Sequence, residues 1–367
     1  MACHHPTKSL HPLFLNWTYH PLNRLQNMKC LYQTLSESMS RGWPVDFISR
    51  LAERLRQEAS SQLPADVPTT EVWPIFEKSL ILLVYNSNYI DSAGVYESIT
   101  FDLCQHVFRG LPITEKIEET SNPEYQDHLE ALIKSNRPTD INTVIRSCRE
   151  VIQHEQALAF IIEQVVLNNQ SITEQLLLET HKILYTGLVE EDDEVKTGQY
   201  RDFEIAVKYE TPDKKMKAHR CIRASAVPEY MKEMIGNLTK EIEQPSKLVP
   251  YTLAARYHHQ FTMIHPFGDG NQRMVRILMN LILIKYAGHV CLFGGDDDEK
   301  KEYLDIVTRG AKQFDKEDME VAFEEHTGHH ELIKYMVMKS KDSLKEMRDW
   351  AQARRGGEEN RTSLHTM

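Results

Sequence analysis

Apolar residues recur at helical spacing along most of this chain, and long alternating runs are scarce. That pattern predicts a mainly α fold. The densest run is Met274, Val275, Ile277, Leu278, Leu281 and Ile282, which reads as a buried helix. Ser171-Ile172-Thr173-Glu174 is a capping box, predicting an amphipathic helix through Leu184. A further apolar run covers Leu80 to Val84. Leu31 to Met39 and Phe47 to Leu55 carry helical spacing, split by Gly42-Trp43-Pro44. Glu204 to Val207 alternates weakly, Pro212-Asp213 marks a turn, and Lys217 to Ile222 returns, which predicts one small hairpin.

Between these elements the composition shifts. Residues 61–75 read as a linker, and residues 110–142 as a polar, loop-rich connector holding Pro112, Pro123 and Pro138. The expected organisation is a helical region over 1–65, a helical segment over 66–109, a connector over 110–141, a main domain over 142–338 and a charged helix or tail over 339–367.

The chemistry concentrates in His265-Pro-Phe-Gly-Asp-Gly-Asn-Gln-Arg-Met-Val-Arg276. Gly270 and Asn271 can adopt backbone conformations that aim successive N–H groups into one concavity, an anion nest. The apolar helix follows directly, so its N-terminal N–H groups and dipole favour phosphate. Arg273 and Arg276 are three residues apart and share a helix face, where both can grip phosphate oxygens. Asp269 is a hard oxygen ligand suited to Mg²⁺ carried by substrate phosphates. His265 can take a proton near neutral pH, and Phe267 is the apolar peg of the loop. Together these residues suit transfer of a phosphate-containing group onto a hydroxyl.

The stretch resembles the signature of Fic (Fido) domain proteins, H-x-F-x-(D/E)-G-N-(G/K)-R-x-x-R, and departs from it at Gln272. Gln keeps length but lacks the freedom of Gly and the charge of Lys. Ala254 to Ile264 is similar to the helix leading into the family's histidine, with His258 a core residue. Tyr286-Ala287-Gly288 resembles the end of the helix that follows. Thr197-Gly198-Gln199-Tyr200-Arg201 resembles the start of the family's hairpin flap. The resemblance implies a Fic-type helical bundle with a small β-hairpin flap, here with an N-terminal helical extension. It also implies transfer of AMP from ATP, with Mg²⁺, onto a Tyr, Thr or Ser hydroxyl of a target protein. In that expectation His265 is the base, Asp269 holds the metal, and Gly270, Asn271, Gln272, Arg273 and Arg276 bind the nucleotide. A phosphodiesterase that removes AMP and a nucleotide-binding regulatory pseudoenzyme are the alternatives.

Ser87-Asn88-Tyr89-Ile90-Asp91-Ser92 is similar to a further family motif, (S/T)-x-x-x-E-(G/N), whose acid pairs with the second motif arginine and blocks productive nucleotide seating. Asp91 would be that acid, one methylene shorter than Glu. Two readings stay open: an inhibitory partner of Arg276, or a solvated helix-end residue beside a Ser92 cap.

Composition narrows the partners. The net charge of −11 argues against a general nucleic-acid surface, though not against a local nucleotide pocket. Six scattered cysteines without a C-x-x-C predict neither zinc nor a disulfide scaffold, and suggest a reducing compartment. No apolar segment has membrane-spanning length, so the expectation is a soluble cytoplasmic or nuclear protein, with a homodimer possible from the family. Cys3-His4-His5 and the set His326, His329 and His330 are weak metal candidates, and the acidic runs Glu190–Glu194 and Asp296–Glu299 read as solvated loops.

Overall fold

A computed structural model describes residues 69–108, 123–134, 137–188, 195–210, 216–244, 248–317, 320–321, 325–341 and 345. The expected helices within 1–65, the Cys3-His4-His5 cluster, the run 190–194 and nearly all of the C-terminal tail lie outside these residues.

The described chain is helical apart from one hairpin. Helices α1 (Thr69–Ile90), α2 (Glu97–Phe108), α3 (Pro123–Lys134) and α4 (Ile141–Ile162) come first, and a π turn, Glu163–Leu167, extends α4. Helix α5 (Glu174–Tyr185) precedes strands β1 (Ala206–Glu210) and β2 (Met216–Arg220). Then follow α6 (Val227–Ile242), α7 (Pro250–Ile264), α8 (Asn271–Ala287), α9 (Asp297–Glu317) and a last helix over 330–341. The strands pair antiparallel, with Val207 opposite His219. This is the mainly α architecture with one small hairpin that the hydrophobic pattern predicts.

Helix α8 is the central rod. Every residue from Asn271 to Ile284 is buried, as expected of a helix that is apolar nearly all round. Helix α7 packs along it, with α1 and α4 on other sides and α9 on α7. Gly288, at φ +70°, ends α8 in the left-handed conformation that glycine supplies without Cβ strain. Lys285 donates to the Val165 carbonyl at 2.8 Å, filling a backbone vacancy made by the π turn.

Four local expectations are corrected. The cap of α5 is Thr173, not Ser171: its hydroxyl accepts from Leu176 N at 3.2 Å, which satisfies an orphan first-turn donor. Helix α1 begins at Thr69, inside the stretch read as linker. Residues 123–134 of the connector are helical, because Pro123 sits at the first helical position, where its missing N–H costs nothing. The acidic run 296–299 is a helix start and not a loop: Asp296 Oδ1 accepts from Glu299 N at 2.8 Å, and Asp297, Asp298 and Glu299 occupy the positive end of the α9 dipole.

Several histidines are folded into the interior as neutral rings. Burial pushes His181 and His258 down to about 3 and His329 down to about 4. His258 is a core residue, its Nε2 2.7 Å from the Tyr303 hydroxyl. All three have folded values below the unfolded value of about 6.5. The unfolded chain therefore binds more protons over that interval, and stability present above pH ~6.5 is lost as pH falls toward about 3. Thermal melts from pH 7.5 to 4.5 are expected to show a melting temperature that declines steadily below ~6.5. A flat profile across that range contradicts this account.

Candidate active site

The loop His265–Gly270 joins α7 to α8, and its shape follows from a few pinned residues. His265 ends α7 in the left-handed conformation at φ +51°, its N–H donating to Phe261 O at 2.9 Å. A non-glycine residue there is strained and persists only when its surroundings hold it. Arg201 supplies that hold. Its guanidinium, 4% exposed, donates to the carbonyls of His265 at 2.7 Å, Phe203 at 2.8 Å, Ile264 at 3.3 Å and Ile222. Its own N–H donates to Pro266 O at 2.9 Å. Three of these five bonds, to Ile264, His265 and Pro266, tie the turn to the chain that leads to β1.

The middle of the loop is fixed from the other side. Phe267 is fully buried, its ring flat against His181 at 3.8 Å. Gly198 N donates to His181 Nδ1 at 2.9 Å, so the ring proton sits on Nε2, which faces the Asp269 carbonyl at 3.1 Å. Tyr200 donates to Glu174 at 3.0 Å. The segment Thr197–Arg201 therefore acts as a brace behind the loop, while the hairpin strands lie farther on, at 206–210 and 216–220.

Asn271 spends its side chain on the loop itself. Its side-chain oxygen accepts from Phe267 N and its amide nitrogen donates to Phe267 O, each at 2.8 Å. The side chain closes the loop on itself, which leaves the backbone N–H groups as the donors at the start of α8. Gly270 caps that helix at φ +74°, and a Cβ there would lie 2.3 Å from the Tyr185 ring. Gly270→Ala is expected to cost about 1–2 kcal/mol for the backbone alone and a similar amount for the clash. Thermal melts check this, and an unchanged melting temperature contradicts the packing.

Around the loop opens a cavity of about 140 Å³, lined by His265, Asp269, Gly270, Asn271, Gln272 and Arg273 on one side. Asp91, Ser92, Ala93, Arg146 and Glu150 line the other. Arg273 is 4% exposed and gives Nη2 to the Tyr185 hydroxyl at 2.5 Å, while its Nε and Nη1 have no hydrogen-bond partner. Both polar atoms of the Gln272 amide are likewise buried and unpartnered. Unsatisfied buried donors of this kind cost roughly 1–3 kcal/mol each, and an anion in the cavity would relieve that cost.

Arg276 faces away from the cavity's mouth. It donates to Ser87 Oγ at 2.8 Å and to Ser87 O at 2.7 Å, and its Nη2 lies 2.9 Å from Asp91 Oδ2. The same carboxylate oxygen is 3.9 Å from Arg273 Nε. Of the two readings of Asp91, the geometry is the acid–arginine pair, with the Asp91 side chain 17% exposed. Directly after Asp91 the chain turns sharply at Ser92, which has φ +54°.

Two further sets of contacts hold that turn in place. Lys300 donates to Tyr89 O at 2.9 Å and Ser92 Oγ at 3.0 Å, and Tyr89 donates to Asp297 at 2.6 Å. Glu150 accepts from Gly94 N at 2.7 Å and pairs with Arg137 and Arg146, each at 3.3 Å.

Asp269 suits a metal shared with a ligand. Its Oδ1 accepts from Gly270 N at 2.7 Å, and it lines the cavity beside the helix start. Among the described residues no group of three or more His, Cys, Asp or Glu could hold a metal by itself. A single carboxylate fits Mg²⁺ completed by phosphates and water, the arrangement that ion favours.

The helical fold thus sets a histidine, a carboxylate and an arginine around the open start of a buried helix. The match to known proteins agrees: a model of the Fic/DOC family covers residues 171–283, and the chain carries a Fic domain. It is similar to the protein adenylyltransferase Fic of Nematostella vectensis, 27% identical over 165 residues, which is 44% of this chain and 34% of that protein. A Fido domain-containing protein of Dictyostelium discoideum is 42% identical over 91 residues, 24% of this chain and 64% of that one. The matched stretch thus spans about a third of the anemone relative's length. In fold, the chain is similar to a Fic domain containing signaling protein from Bacteroides thetaiotaomicron, with a TM-score of 0.59 at 17% identity over 83% of this chain and 97% of that one. Fic-1 from C. elegans gives a TM-score of 0.51 at 16% identity, over 84% and 73%. No helix among the described residues is long and apolar enough to cross a membrane.

Proposed function

We propose that this protein transfers AMP from ATP to a Tyr, Thr or Ser hydroxyl of a target protein, and that Asp91 restrains the transfer. The observation that carries the reading is the single cavity shared by His265, Asp269, Arg273 and the backbone start of α8. The adenylyltransferase relatives support it as kin.

In this reading His265 takes the proton of the target hydroxyl as its oxygen attacks the α-phosphorus. The bond to the β-phosphate breaks, and pyrophosphate leaves with the electron pair. Backbone N–H groups at the start of α8, exposed by the turn at Gly270, hold the α-phosphate oxygens, and the unpartnered atoms of Arg273 receive the outer phosphates. Asp269 would hold Mg²⁺, which supplies neutralisation of the phosphate charge. Arg276 joins the clamp only after Asp91 releases it. The hairpin edge presents unpaired backbone groups that can pair with an extended target segment.

The test is transfer of α-labelled ATP, GTP, UTP and CTP with Mg²⁺, using self-modification and added lysate proteins as acceptors. Label from ATP alone supports the reading. Label from another nucleotide replaces ATP as donor. No transfer from any nucleotide, in the Asp91→Ala protein as well, rejects it.

A further inference from the structure

One arginine of the cavity wall lies outside the motif altogether. Arg146, on α4, lines the same cavity as His265, Asp269 and Arg273. Its side chain is 49% exposed, and its Nε lies 3.3 Å from Glu150 Oε1, one helical turn further on. The Glu150 side chain is 6% exposed, and its other oxygen accepts from Gly94 N at 2.7 Å and from Arg137 Nη2 at 3.3 Å. That anchored carboxylate steadies Arg146 at the cavity, while the two outer nitrogens of its guanidinium stay outside the pair. Arg276 is placed differently. It is not part of the cavity's lining, and its side chain is 2% exposed. Its Nε and Nη2 are committed to Ser87 and Asp91 at 2.7 to 2.9 Å.

We propose that Arg146 is a phosphate-binding residue of this site, taking the terminal phosphate of a nucleoside triphosphate while Asp91 still holds Arg276. The inference rests on the nucleotide reading of the cavity. Charge supplies the first argument. Asp91, Glu150 and Asp269 all line the cavity, so a triphosphate met by Arg273 alone would face three carboxylates and one guanidinium. Arg146 is the other arginine of that wall. Strength supplies the second argument. An exposed ion pair four residues apart on a helix is weak, and 3.3 Å is long for an N–H···O bond. An arginine–phosphate pair is charge-assisted and can form two parallel bonds, so Arg146 readily exchanges Glu150 for a phosphate. Freeing Arg276 instead breaks three shorter, buried contacts. An incoming phosphate therefore engages Arg146 before Arg276. The cavity also holds polar atoms that await a ligand. Arg273 Nε and Nη1 and both polar atoms of the Gln272 amide are buried there without a hydrogen-bond partner. Of the two outer phosphates, Arg273 takes the β-phosphate and Arg146 the γ-phosphate.

The test uses the full chain with Asp91 in place and with His265→Ala, which prevents turnover. Calorimetric titrations with ATP, ADP and AMP, each with MgCl₂, are run on this parent and on the parent with Arg146→Ala or Arg146→Lys. Arg146→Gln serves as a second uncharged variant where the alanine protein melts early.

Loss of the charge-assisted bonds is expected to weaken ATP binding about tenfold in Arg146→Ala and to leave ADP and AMP within about twofold. Arg146→Lys should fall between parent and alanine, because a point charge lacks the fork. An equal loss for ATP and ADP shows that Arg146 does not hold the terminal phosphate and acts only by supporting Glu150 and its turn; that result overturns the inference, as does an unchanged ATP affinity. A parent that binds ATP only once Asp91→Ala is added also overturns it, since the phosphate then requires Arg276, and leaves the nucleotide reading intact. No ATP binding by either protein removes the nucleotide reading itself, and this inference with it.

Discussion

His265→Ala is expected to lower label transfer by about 10²–10⁴-fold while nucleotide affinity stays within a few-fold of the parent. The split between the two quantities is the informative part. The phosphate donors at the start of α8 are backbone N–H groups and Arg273, and none of them needs the imidazole. Proton removal from a target hydroxyl does need it, because His265 is the one imidazole among the side chains lining the cavity. The residue also sits at φ +51° under tension from Arg201, and alanine accepts the same backbone with no new clash. The variant should therefore fold, which a thermal melt verifies beside the activity measurement. Transfer that persists at parental rates would exclude His265 as the base and point to a carboxylate or water. Loss of binding in step with loss of transfer would mean that the ring shapes the cavity and does no proton chemistry.

The local shape of the motif, a loop opening a buried helix, was legible in the sequence because its parts are contiguous. A buried apolar helix, a glycine able to take positive φ, and charges at helical spacing can all be read from twelve residues. The fold class was legible for the same reason, since 3.6-residue spacing dominates nearly every segment. What escaped were the contacts made across long separations. Arg201 lies 64 residues from the carbonyl it holds, and Tyr185 lies 88 residues from Arg273. Nothing near Tyr185 in the chain marks it, although His181 and Tyr185, four apart on one helix, do share a face. The side-chain contact of Asn271 escaped as well: an amide four residues from Phe267 has the reach to copy a backbone pair, and it does so. Asp91 left two readings open in the sequence; its pairing with Arg276, 185 residues away in the chain, shows only in three dimensions, as does the left-handed serine that follows it.

Asp91→Ala is expected to raise transfer and tighten nucleotide binding, each by about 10–100-fold, the equivalent of one or two charge-assisted hydrogen bonds. The reasoning starts from a competition. Arg276 is 1% exposed and already spends Nε and Nη2 on Ser87 and Asp91. An incoming phosphate has to displace the carboxylate, and it also has to approach Asp91, an anion on the cavity wall. Removing Asp91 abolishes both costs to binding. The same change leaves two arginines close together in a buried place with no acid between them, and breaking one partner of a buried pair is strongly destabilising. The unliganded variant should therefore melt at a lower temperature than the parent. ATP with Mg²⁺ should restore the loss, since phosphate replaces the missing carboxylate and ligand binding stabilises by mass action. Lys300→Ala, which frees Tyr89 O and Ser92 Oγ and removes a cation that acts on Asp91 and Arg276, is expected to move affinity in the same direction by a smaller factor. Paired melts and titrations on the three proteins decide the matter. A gain in affinity with a drop in unliganded stability means that the acid–arginine pair is spent against the nucleotide. A drop in stability with no gain in affinity means that Asp91 serves only the fold, and the restraint assigned to it is wrong.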